Sequence, residues 1–79
     1  NKIYTVNIYP NTSKGLFYIN IPDYKGALIL KISDPSGKLL ERHHLIYSKL
    51  MSWRLVTGVY IIEIIFANNV TTKNNILLV

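Results

Sequence analysis

Leu55-Val56-Thr57-Gly58-Val59-Tyr60-Ile61-Ile62-Glu63-Ile64-Ile65-Phe66 contains the longest β-branched and aromatic run of the chain, opened by a glycine-marked turn. Side chains of a strand alternate between faces, so Tyr60, Ile62, Ile64 and Phe66 fall on one side and Val59, Ile61, Glu63 and Ile65 on the other. Both sets are largely apolar. Such a strand predicts neighbours on both edges, a second sheet over one face and some cover for the other. Tyr60, Ile62, Ile64 and Phe66 are the expected core set.

Working outward, Thr5-Val6-Asn7-Ile8-Tyr9 alternates and stops at Pro10-Asn11-Thr12-Ser13-Lys14-Gly15, where proline removes a ladder donor and glycine permits a positive φ. Leu16 to Ile21 resumes the alternation, with Phe17, Ile19 and Ile21 on one face, until Pro22-Asp23-Tyr24-Lys25-Gly26. Ala27 to Ser33 sets Leu28, Leu30 and Ile32 against Lys31 and Ser33, then meets Asp34-Pro35-Ser36-Gly37, a type I or II turn signal that predicts a hairpin. Lys38 to Leu45 is the returning strand, its face left open because Leu39 and Leu40 are adjacent. From Tyr47 to Arg54 helix and strand patterns fit equally, and the segment is assigned a short strand. Ala67-Asn68-Asn69 turns the chain into a last strand, Val70 to Val79. About seven short strands, each closed by a turn signal, predict an all-β antiparallel sandwich.

A chain of 79 residues makes one domain with a modest core, since a domain of this size buries only about 60–65% of its unfolded surface. It has no cysteine, so packing and sheet hydrogen bonds must hold it, without disulfide or thiolate metal site. No apolar run reaches the roughly 18–20 residues of a membrane-spanning helix, and Asn1-Lys2-Ile3-Tyr4 lacks a signal-peptide core. The absence of an initial Met leads us to expect a segment cut from a longer polypeptide. Nine Lys and Arg against four Asp and Glu give a net charge of +5. These cations are spread one to a strand or turn, unlike the basic stripe of a nucleic-acid reader, and serve to protect sheet edges.

Catalytic and metal chemistry find little support. His43 and His44 are adjacent and point to opposite faces of a strand, whereas zinc needs three or four convergent ligands. Asp23, Asp34, Glu41 and Glu63 lie in separate turns or strands, and no serine stands in a Gly-x-Ser-x-Gly elbow. Ser36-Gly37-Lys38 lacks the flanking glycines of a phosphate loop. Neither enzyme activity nor a cofactor is expected. Tyr24, Tyr47 and Trp53 are the aromatic residues placed to form an exposed stacking platform, and a glycan-binding or adhesive sandwich is the alternative reading. Asn11-Thr12-Ser13 and Asn69-Val70-Thr71 match the glycosylation acceptor pattern, as chance allows in so asparagine-rich a chain.

Four marks stand in order: Tyr9-Pro10-Asn11 with Gly15, Asp34 with Gly37-Lys38, Leu55 with Gly58-Val59-Tyr60, and Thr72-Lys73 in the last strand. Together they resemble the type A C-terminal sorting domain of the bacterial type IX secretion system, from Tyr4 to Val79. Thr12 stands where that family usually has a second proline, and Ser52-Trp53-Arg54 departs from its usual segment before the leucine. The resemblance implies an immunoglobulin-like sandwich of about seven strands, appended to a cargo protein N-terminal to residue 1. It also implies an address recognised in the periplasm and at the outer-membrane translocon, then removed by a cell-surface sortase, with the cargo released or left on the surface.

The residues themselves suggest where recognition falls. Only one face of the central strand can point into a two-sheet core, which leaves Val59, Ile61 and Ile65 as an exposed apolar strip beside Gly58 and Tyr60. The last strand bears Lys73 and ends Ile76-Leu77-Leu78-Val79 with no charged gatekeeper, an edge suited to β-augmentation by a receptor or to self-association.

Overall fold

A computed structural model describes residues 3–11 and 15–78, Asn11 by its backbone alone. The chain is all β: β1 (Asn7–Asn11), β2 (Leu16–Asn20), β3 (Gly26–Ser33), β4 (Leu39–Tyr47), β5 (Met51–Arg54), β6 (Gly58–Phe66) and β7 (Thr71–Leu78). They form two antiparallel sheets, β1-β2-β5 and β4-β3-β6-β7, packed as an immunoglobulin-like sandwich. The segment where helix and strand patterns competed is split: Tyr47 ends β4, and only Met51–Arg54 pairs, with β2. Pro10, expected to stop the first strand, lies within β1, an edge strand whose free side tolerates a missing donor.

The long apolar run is an interior strand, flanked by β3 and β7. Tyr60, Ile62, Ile64 and Phe66 are all buried and meet Leu28, Leu30 and Ile32 of β3, Phe17 and Ile19 of β2, and Ile76 and Leu78 of β7. The period-two reading of these strands is therefore correct. Its further expectation of cover over both faces is met on one side only, since the three-stranded sheet covers the Tyr60 face and Val59 opposite remains half exposed. Burial of this core is the main stabilising term, because each fully buried aliphatic or aromatic side chain contributes about 1.5–3 kcal/mol.

Polar groups inside the sandwich are tied to the backbone. The Tyr47 hydroxyl accepts the Ile21 N–H at 2.8 Å, and the Tyr24 hydroxyl donates to the Ala27 carbonyl while accepting the Ala67 N–H at 3.3 Å. Tyr4, ahead of β1, packs its ring against Tyr24 and Phe66, with centroids 4.7 and 4.9 Å away. That three-ring cluster closes one end of the sandwich. Because every pairing is antiparallel, Gly15 at the start of β2, the β3–β4 and β5–β6 connections and the end of β7 gather at the opposite end.

The adjacency of Leu39 and Leu40 is explained by a bulge. Ser33 pairs with Leu39 and Ile32 with Glu41, so Leu40 has no partner on β3. Both leucines stand about half exposed, and the strand resumes alternation with Glu41, His43, Leu45 and Tyr47 turned inward.

Candidate functional site

The aspartate and glycine marks have identifiable physical causes. In the β3–β4 turn, the Asp34 carboxylate accepts the Ser36 N–H, the Ser36 hydroxyl and the Lys38 N–H at 3.0, 2.6 and 2.9 Å, while the Gly37 N–H donates to the Asp34 carbonyl at 2.9 Å. An aspartate at the first position with proline next is the residue choice of a type I turn. The Ser36 hydroxyl first, then the Lys38 N–H, holds the Asp34 carboxyl below its ordinary value. A folded-state pKa below the unfolded one contributes stability above the ordinary carboxylate range, and this is lost as pH falls through the lowered value. Acidification is therefore expected to loosen this hairpin in the wild type and not in Asp34→Ala, as read from exchange of the Gly37 and Lys38 amides.

Gly15 and Leu55, forty residues apart in sequence, are joined by the Leu55 N–H donating to the Gly15 carbonyl at 2.9 Å. Gly15 has φ +64, and a Cβ there would meet the Leu55 carbonyl oxygen at 2.8 Å. Gly15→Ala thus suffers both left-handed strain and a backbone clash. It is expected to lose at least about 1–2 kcal/mol, measurable by urea denaturation. Gly58 serves a different need. The Tyr60 ring crosses it to donate its hydroxyl to the Val56 carbonyl at 2.7 Å, and a Cβ at Gly58 would lie 3.3–3.5 Å from that ring. The spacing of Val56, Gly58 and Tyr60 is the geometry of this fold-back.

The sequence-predicted recognition residues divide by face. Tyr60, Ile76 and Leu78 point into the core, because they share its period-two side, so their side chains offer no outer contact. Gly58 is partly covered, and Val79 lies outside the described residues, as do Thr12 and Ser13 of the first acceptor pattern. Val59, Ile61, Ile65, Lys73 and Leu77 do stand on the outer face of the four-stranded sheet. They are not one strip: the cross-strand row Arg42, Lys31, Glu63, Lys73 divides them. Val59, Ile61 and Leu77 lie on the side toward the Asp34 turn. Ile65 lies on the other, beside Ile29 and Ile46 around a concavity of about 380 Å³ that His44 and Ala67 also line. β7 is an edge strand, and so is β4.

Tyr24, Tyr47 and Trp53 do not form the exposed platform that the glycan alternative needs. Tyr24 and Tyr47 are 7% and 2% exposed, and Trp53 is partly buried against the core. The Tyr24 and Tyr47 hydroxyls are bonded to the backbone inside the sandwich. Trp53 instead packs on His43 at 4.5 Å between centroids, and Glu41 accepts from His43 at 2.8 Å and Trp53 at 3.4 Å. This cluster bridges β4 of one sheet and β5 of the other at the rim. The sequence concealed it because the partners are separated by twelve residues and by a sheet boundary. His44, as expected, points away from His43. Among the described residues no three metal-ligating side chains converge.

Fold and surface together define a small β-sandwich whose distinctive positions are turn-formers and exposed apolar residues rather than a cleft of titratable groups. The chain belongs to the family of secretion system C-terminal sorting domains, whose model matches residues 7–78. It is a sorting signal for type IX secretion, which directs its protein to the cell surface or the medium through the type IX machinery, with the cargo on its N-terminal side. No curated protein matches the chain in sequence.

Proposed function

We propose that residues 1–79 form one non-catalytic addressing domain of a longer cargo protein. The cargo passes through the periplasm, and the domain is recognised at the outer-membrane translocon and removed by the surface sortase. The family match over residues 7–78 is the observation that carries this reading. The fold supports it, because Tyr4, where the cargo side joins, and the outer residues Val59, Ile61 and Leu77 lie toward opposite ends of the sandwich. β7 adds an edge whose last residues, Asn75 to Leu78, bear no charge and suit strand addition by a receptor or by a second copy.

Residues 1–79, placed behind a reporter delivered to the periplasm of a type IX-competent host, are expected to bring it to the surface or medium. Removal of residues 69–79, which takes away β7 and its core residues Ile76 and Leu78, is expected to leave it periplasmic. Retention of the intact fusion in the periplasm refutes the reading.

A further inference from the structure

We propose that the apolar patch beside the Asp34 turn, formed by Leu39, Leu40, Val59, Ile61 and Leu77, docks a protein with an apolar centre and an acidic rim. The inference rests on the sorting reading above and names the chemistry of the partner. Strand register assembles the patch from three separated stretches. Leu39 and Ile61 both pair with Ser33, and Val59 pairs with Leu77 one step nearer the turn. The β4 bulge adds Leu40 to Leu39 on the open surface. Leu39, Leu40, Val59 and Leu77 are 45–53% exposed, a concentration of surface apolar side chains of the kind that marks an interaction site.

The charges around the patch decide the partner. Arg42 and Lys73 border it on the side of the charged row, and Lys38 stands exposed beyond it. The chain has four acidic residues, and only Glu63 stands in the charged row, where it faces both Lys31 and Lys73 and leaves three cations to one carboxylate. Asp34 is committed to its turn, where it also attracts Lys38. Glu63 lies 3.8 Å from Lys31, Glu41 is turned inward to His43 and Trp53, and Asp23 sits in the β2–β3 connection at the opposite end. Lys31 and Arg42 are moreover directly opposite, a like-charge pairing that costs stability in a sheet. An apolar centre with a border of net positive charge calls for carboxylates around an apolar contact on the other side. A protein suits the patch better than a lipid layer, because Ser33 and Asn75 lie within its cross-strand row and hydrocarbon would leave their polar groups unpaired.

The test uses the reporter fusion of residues 1–79 with Leu40→Ser/Leu77→Ser, Arg42→Glu/Lys73→Glu, and Ile46→Ser as a control on the same sheet's other end. Each double variant is expected to reduce the exported fraction by about tenfold or more, with the control within about twofold of wild type. Unchanged unfolding midpoints of the purified chains separate lost docking from lost folding. A photo-crosslinking residue in place of Leu40, in an otherwise intact chain, is expected to give a protein adduct during export, and its absence overturns the proposal. Wild-type-like export of both double variants overturns the patch while leaving the sorting reading intact. An intact fusion that stays periplasmic overturns both. Co-sedimentation of the purified chain with phosphatidylglycerol vesicles, abolished by Arg42→Glu/Lys73→Glu, assigns the patch to a lipid surface and overturns the protein partner.

Discussion

Phe66→Ala is expected to leave the domain largely unfolded. Phe66 is 1% exposed at the end of β6, with the Tyr4 and Tyr24 rings 4.9 and 4.8 Å from its own. Its removal takes away the largest apolar surface in that cluster and opens a void between two sheets whose backbone hydrogen bonds prevent collapse. Large-to-small changes of this kind cost about 3–5 kcal/mol. Small single domains have stabilities toward the low end of about 5–15 kcal/mol, so the loss is comparable to the whole. At roughly 4–8 °C per kcal/mol for a domain of this length, the unfolding midpoint should fall by tens of degrees. Ile65→Ala, next in sequence but on the outer face, is expected to cost about 1 kcal/mol or less. Thermal unfolding of the two purified variants checks the contrast, and equal losses would show that the faces are wrongly assigned.

Tyr47→Phe should cost about 1–3 kcal/mol although it removes a single oxygen. That oxygen accepts the Ile21 N–H at 2.8 Å, with Tyr47 2% and Ile21 1% exposed. Phenylalanine keeps the ring packing and leaves a buried amide with no acceptor. The penalty is that of a desolvated donor rather than of a lost contact. Urea denaturation gives the magnitude, and faster exchange of the Ile21 amide identifies the cause. Tyr60→Phe is expected to be milder, because the Val56 carbonyl it releases lies where Val56 is 79% exposed and water replaces the hydroxyl.

These cases show how far the residues could be read before the fold was known. The core was legible wherever a strand alternates without interruption, as in Phe17/Ile19, Leu28/Leu30/Ile32 and Tyr60/Ile62/Ile64/Phe66. Alternation is local, and burial of one face follows from it. It failed at Leu39-Leu40, where a bulge breaks the period, and at the aromatic residues Tyr24 and Tyr47. Both stand outside the uninterrupted strand patterns, which suggested the surface, but each hydroxyl found a backbone partner inside. Tyr60, Ile76 and Leu78, recognition candidates by sequence, lie in the core.

By itself the sequence determined the all-β class, the strand count, the inward face of β6 and the family marks, because turn chemistry and side-chain period are properties of neighbouring residues. Only the tertiary structure decided what those marks become in space. Gly15 meets Leu55, Gly58 yields to the Tyr60 ring, and the strip expected along Val59, Ile61 and Ile65 is cut by a row of charges. Two of its members join Leu39, Leu40 and Leu77 instead. Register between strands far apart in the chain sets those meetings, and no periodicity within one strand encodes it.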